Sequence, residues 1–161
     1  MSLSIRRARS DDSALIFALL RELAEYEKLT HELVVTEAGI AEALFDESPV
    51  LFCEIAEWDG KPVGFAIWFF NFSTFAGRRG IYLEDLFVRP AFRGKGIGKA
   101  LLAHLAELCV ENGWSRMQWS VLDWNTPSID FYKSLGAEMM DEWKLVRING
   151  PALSQLAKAK P

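Results

Sequence analysis

The six residues Arg93-Gly94-Lys95-Gly96-Ile97-Gly98 have types and spacing suited to holding an anion. Glycines at alternate positions let backbone N–H groups turn toward one point without Cβ obstruction. The helical pattern that begins near Lys99 adds the partial positive charge of a helix N-terminus, and Arg93 and Lys95 add two cations. A diphosphate is the guest such a cradle suits; an ordinary strand-to-helix turn is the plainer reading. Just upstream, Glu84 and Asp85 are adjacent acids inside the otherwise apolar run Tyr82 to Val88. A β-bulge there places neighbouring side chains on one face and splays this strand from the next, whereas a plain register turns one acid to solvent.

Other glycine motifs fail on spacing. A P-loop requires Gly-Lys-Ser/Thr five residues after its first glycine, but Lys99 stands five residues after Gly94, and Gly98-Lys99 is followed by Ala100. A dinucleotide fingerprint needs a third small residue where Lys99 or Leu101 stands. The pattern R/Q-x-x-G-x-G/A, after a strand and before a helix, is met by Arg93, Gly96 and Gly98. This resembles the coenzyme A loop of the GNAT superfamily of N-acetyltransferases.

The elements that must position these residues can be read in order. Leu3 to Ala8 is a short strand, followed by a helix capped at Ser10 or Asp11. Its apolar residues Leu15, Ile16, Leu19, Leu20 and Leu23 recur at three- and four-residue spacing, to about Tyr26. Thr36 caps a second helix that ends before Ser48-Pro49. Val50 to Glu57 and Pro62 to Asn71 are strands joined at Asp59-Gly60, a hairpin signal. Ser73 to Gly80 is a loop before the strand Ile81 to Val88. Leu101, Leu102, Leu105 and Leu108 mark a helix closing at Asn112-Gly113. Arg116 to Val121 is the next strand, and Thr126, with Pro127 at the first helical position, caps a short helix to Gly136. Met139 to Ile148 is a last strand, and a ragged helix follows from Pro151.

At 161 residues and 50% hydrophobic, the chain is expected to form one domain, residues 1–161, around a single core. The longest apolar run, Val63 to Phe70, falls far short of the ~20 residues of a membrane span, and Met1 to Arg6 lacks the order of a signal peptide. A cytoplasmic location without a membrane partner is the expectation. Cys53 and Cys109 lie in apolar patterns as buried free thiols, and neither has a histidine within a few residues to activate it. His104 is expected to flank the buried face of its helix and His31 to sit in a loop; two histidines are too few for a metal site. The net charge of −4 is unevenly spread: Glu22 to Asp59 holds eleven acids against Lys28, and Arg78 to Lys99 holds six bases against Glu84 and Asp85. Folded into one cleft, these offer a positive end to a phosphorylated cofactor and a negative end to a cationic substrate. Solvated helix faces are the alternative. A pI near 5.3 weighs against a nucleic-acid partner.

The order β-α-α-β-β-β-α-β-α-β is that of the GNAT fold, so the resemblance covers nearly the whole chain. It implies an α/β (α+β) architecture: a mixed, mostly antiparallel sheet of six to seven strands, splayed at strand 4 and flanked by helices. The blocks Glu22-Leu23-Ala24-Glu25-Tyr26-Glu27, Tyr82-Leu83-Glu84-Asp85, Asp123-Trp124-Asn125, and Phe131-Tyr132-Lys133 with Leu135-Gly136-Ala137 look like the diamine acetyltransferase family, the spermidine/spermine and thialysine N-acetyltransferases. Taken singly, Tyr132 reads as a core aromatic, Trp124 as a packing residue and Asn125 as a turn former.

The resemblance implies acetyl transfer from acetyl-CoA to a primary amine by direct attack in a ternary complex, with no metal and no covalent enzyme intermediate. Glu84 corresponds to the family's general base, acting through water, and Tyr132 to the general acid that protonates the coenzyme A thiolate. A backbone amide near Leu86 corresponds to the oxyanion donor. By the same resemblance the pantetheine arm pairs with the splayed strand at Leu86, Phe87 and Val88. The diphosphate meets Arg93, Gly94, Lys95, Gly96, Ile97 and Gly98, and Asn125 and Tyr132 contact the cofactor. Tyr26, Glu27, Glu84, Asp85 and Trp143 line the amine site. Ser73 stands where polyamine-acetylating members carry an acid, and that loop, with Val121-Leu122-Asp123-Trp124-Asn125, looks more like the thialysine branch. A short amine, such as thialysine, a lysine-like amino acid or a diamine, is therefore expected to be preferred over spermidine. A homodimer whose amine sites draw on both subunits is also implied. Three alternatives stand beside this reading: a peptide or protein acetyltransferase, a non-catalytic acetyl-CoA-binding module, and a structural interaction protein. The pairing of Glu84 with Tyr132 argues against the second, and the glycine loop against the third.

Overall fold

The strands pair in the order in which the chain makes them. The computed structural model describes residues 1–159, in two compact units, Met1–Ser120 and Val121–Pro161. The first unit runs β1 (Leu3–Arg7), α1 (Ser13–Tyr26), α2 (Glu37–Phe45), β2 (Phe52–Trp58), β3 (Lys61–Ser73), β4 (Arg78–Val88), α3 (Ile97–Asn112) and β5 (Met117–Gln118). Its single sheet has the order β1-β2-β3-β4-β5; every neighbouring pair is antiparallel except β4 with β5. The hairpin at Asp59-Gly60 forms as expected, with φ of 49° and 75°, the two left-handed residues a tight turn of matching twist requires.

Alternation along the strands sends side chains to opposite faces. On one face Cys53, Ile55, Phe65, Ile67 and Phe87 pack against Ile16, Leu19, Leu20 and Leu23 of α1 and Ile40 and Leu44 of α2. On the other lies α3, with Ile97, Leu101 and Leu105 buried. There Glu54, only 1% exposed, accepts hydrogen bonds from Arg7 Nε (2.7 Å) and Trp68 Nε1 (3.3 Å), and His104 Nε2 of α3 lies 3.3 Å from its other oxygen. A carboxylate this deep persists only when so partnered. His104 thus flanks the buried face, and both cysteines are buried and free, as expected.

Local signals held where nothing distant competed. Thr36 Oγ1 accepts the Gly39 N–H at 3.0 Å, and Gly113 closes α3 in the left-handed conformation. The start of α1 differs. Asp12 is tied to Arg6 (2.7 and 3.0 Å) and accepts the Arg9 N–H at 2.7 Å, so residues 10–12 make a 3-10 turn and the helix begins at Ser13.

The sheet has five strands, not six or seven. The second unit contains α4 (Thr126–Ser134) and α5 (Gly150–Lys158), and residues 139–148 form no strand. A β-type sequence does not make a strand by itself, because β propensity is expressed only where a neighbouring edge supplies a ladder. The cap of α4 is Asn125, whose Oδ1 accepts the Ser128 N–H at 3.3 Å, which moves Pro127 to the second helical position. Among the described residues no helix is long and apolar enough to cross a membrane.

Candidate active site

The bulge in β4 settles the two registers left open by the sequence. Ile67 pairs with Asp85 and Trp68 with Leu83, so Glu84 has no residue opposite it on β3. On the other side, pairing with β5 is confined to Ile81 with Met117 and Tyr82 with Gln118. The strand therefore parts from its parallel neighbour where the bulge increases its twist.

Glu84 is exposed at this point, while Asp85 and Leu86 are half-buried and Phe87 is buried. Burial, then the charges of Glu84 and Glu27, push the Asp85 carboxyl up to about 7. Glu27, immediately after α1, is itself raised by burial. None of the three is in an ion pair among the described residues. Three acids without a cation form a site that a cation would stabilise.

The glycine loop lies beyond the end of β4. Gly96 is the N-cap of α3 with φ 79°, a conformation that favours glycine, and no side chain caps the helix there. Space beside Gly94, Gly96 and Gly98 is open. The first N–H groups of α3 are thus uncapped by any side chain, and the helix end gives them a positive field. Arg93 Nε donates to Val88 O at 2.9 Å, and its guanidinium lies over the rings of Tyr26 (4.1 Å) and Phe87 (5.7 Å). Lys95 Nζ is 5.5 Å from the Trp58 ring. Neither cation meets a carboxylate among the described residues. Open glycines, a bare helix N-terminus and two uncompensated cations fit a diphosphate.

In this unit the structure brings together Tyr26, Glu27, Glu84, Asp85, Leu86, Phe87, Val88 and the loop from Arg93 to Gly98. Two contributors were not legible beforehand. Arg89 grips Glu22 with both ends of its guanidinium (2.9 and 2.8 Å) and donates to Pro62 O at 2.9 Å, fixing the last turns of α1 beside the loop. Trp58 meets Lys95. Pairs so distant in sequence leave no periodic signal. Ser73 is buried, and its Oγ accepts the Ala76 N–H at 3.1 Å, which commits it to its own turn.

Asn125, Tyr132 and Trp143 belong to the second unit. Asn125 caps α4, and Tyr132 lies in that helix with its ring 5.6 Å from Phe131 and its hydroxyl pKa raised by burial. Trp143 is exposed. Among the described residues no three metal-binding side chains cluster.

The model of the acetyltransferase (GNAT) family matches residues 14–137. Thialysine N-epsilon-acetyltransferase of Bos taurus is 40% identical over 95% of this chain and 96% of its own length. L-ornithine N5-acetyltransferase of Arabidopsis thaliana is 32% identical over 96% and 87%. Among solved structures, an integron cassette protein from the mobile metagenome of V. cholerae superposes with a TM-score of 0.83 at 30% identity, covering 99% of both chains.

Proposed function

Because the chain belongs to the acetyltransferase (GNAT) family and is an N-acetyltransferase, we propose that it moves an acetyl group from acetyl-CoA to the primary amine of a small cationic substrate in a ternary complex. Thialysine, a lysine-like amino acid or a short diamine is the substrate class. The observation that carries this reading is the group Glu27, Glu84 and Asp85, three neighbouring acids with no cationic partner among the described residues, beside a cradle whose cations meet no carboxylate among them. The names of the thialysine and ornithine relatives support it.

A primary amine with a pKa near ~10.4 must lose a proton before its nitrogen can attack. Glu27 and Asp85 hold the distal ammonium, and Glu84, exposed on the bulge, takes the proton from the reacting nitrogen through water. The Leu86 N–H, freed from β5, faces the developing oxyanion. Tyr132, kept protonated by burial, returns a proton to the leaving thiolate. Acetyl-CoA, when bound, supplies the activated thioester. Arg93 and Lys95 orient it by its diphosphate, with the N–H groups of the glycine loop, and Asn125 adds a polar contact. No step calls on a metal. The same reading makes the chain a single-domain cytoplasmic enzyme that works as a homodimer.

Free-thiol release from acetyl-CoA across thialysine, lysine, putrescine, spermidine and a basic peptide tests this. Thialysine is expected to give the highest kcat/KM. A clear preference for spermidine would overturn the short-amine assignment, and turnover with the peptide alone would replace it by protein acetylation.

A further inference from the structure

Both cations of the glycine loop rest on aromatic rings drawn from other elements. Arg93 lies 4.1 Å over Tyr26, the last residue of α1, and Lys95 lies 5.5 Å over Trp58, the last residue of β2. A ring attracts a cation through its quadrupole and leaves the net charge intact. A carboxylate would hold the same side chains but cancel the field on which an anion site depends. The Arg93 Nε bond to Val88 O fixes the guanidinium a second way without using its terminal nitrogens. Tyr26 is itself anchored, since Glu22, one turn earlier on α1, is gripped by Arg89.

We propose that Tyr26 and Trp58 are positioning residues for the diphosphate site, parking Arg93 and Lys95 at its mouth before the ligand arrives. Long cationic side chains otherwise lose rotamer freedom on binding, and that cost is met in advance here. The inference rests on the glycine loop being the diphosphate site of acetyl-CoA. It gives Tyr26 a role on the cofactor side of a residue block whose neighbour Glu27 serves the amine.

Calorimetric titration of coenzyme A into the wild type, Tyr26→Leu, Tyr26→Phe and Trp58→Leu reads the effect directly. Each leucine variant is expected to raise Kd by about threefold to fivefold, and Tyr26→Phe, which keeps the ring, to stay near wild type. A second readout is the ratio of kcat/KM for acetyl-CoA to that for S-acetylpantetheine, which has no diphosphate. That ratio is expected to fall by the same factor in the leucine variants, because damage to the amine site or to the fold cancels in it. Unchanged Kd values, or equal losses with both thioesters, overturn the proposal while leaving the acetyltransferase reading in place. Failure of the wild type to bind coenzyme A overturns the assignment of the loop and this inference with it.

Discussion

Asp85 is held where its protonated form is favoured. Burial and the charges of Glu84 and Glu27 push it up to about 7 from an ordinary 3.8, so ionising it costs the folded chain what it does not cost the unfolded one. Its contribution to stability is present below about pH 4 and is lost as pH rises through about 7. Asp85→Asn is therefore expected to raise unfolding stability at about pH 8 by about 1–2 kcal/mol and to change little near pH 4. Equal shifts at both pH values in denaturant melts would count against a penalty on the charge. A bound ammonium reverses the balance by favouring the carboxylate, so the amine KM should fall as pH rises from about 6 to 8 in initial-rate profiles. Tyr132→Phe removes one hydroxyl and should lower kcat by about 100-fold with a much smaller effect on coenzyme Kd. Undiminished turnover would remove Tyr132 from proton transfer. Glu84 and Asp85 drew notice in the sequence because two adjacent polar residues broke an apolar run. Which register they adopt depends on pairing with β3, which no local pattern encodes.

The loop and its helix can be separated by two substitutions. Gly96 has φ 79°, so Gly96→Ala is expected to cost about 1–2 kcal/mol of stability and to weaken coenzyme binding. Gly98 lies inside α3 with no positive φ and with open space beside it, so Gly98→Ala should hold or slightly raise the melting temperature. A similar loss of stability in both variants, read by thermal melts, would show that the backbone at Gly96 is not special. Elements whose boundaries are set within a few residues were legible: the Asp59-Gly60 hairpin, the Thr36 cap and the Gly113 terminus. The start of α1 moved because Asp12 answers to Arg6 on β1, and β5 shrank to two residues because its partner strand turns away at the bulge.

The second unit fully buries none of its described residues, though Tyr132 is partly buried, and Trp143, Leu145 and Val146 are 74%, 79% and 89% exposed. The homodimer proposed above would give such a surface a cover. Light scattering is expected to give twice the 18.2 kDa of one chain, and Leu145→Asp to shift the population toward monomer; a monomeric wild type would end the dimer proposal. The strand expected over Met139 to Ile148 was legible as composition but not as structure, because a strand is a property of two segments and the sequence displays one at a time. The parting of β4 from β5 has a practical consequence. Ladder pairing of β4 with β5 ends at Tyr82, and a sheet whose pairing stops midway along a strand is a seam at which an extended peptide could add as a substitute strand. In the proposed complex a coenzyme seated along it would act as a stopper, so shelf life and refolding yield should follow coenzyme occupancy more closely than the melting temperature does.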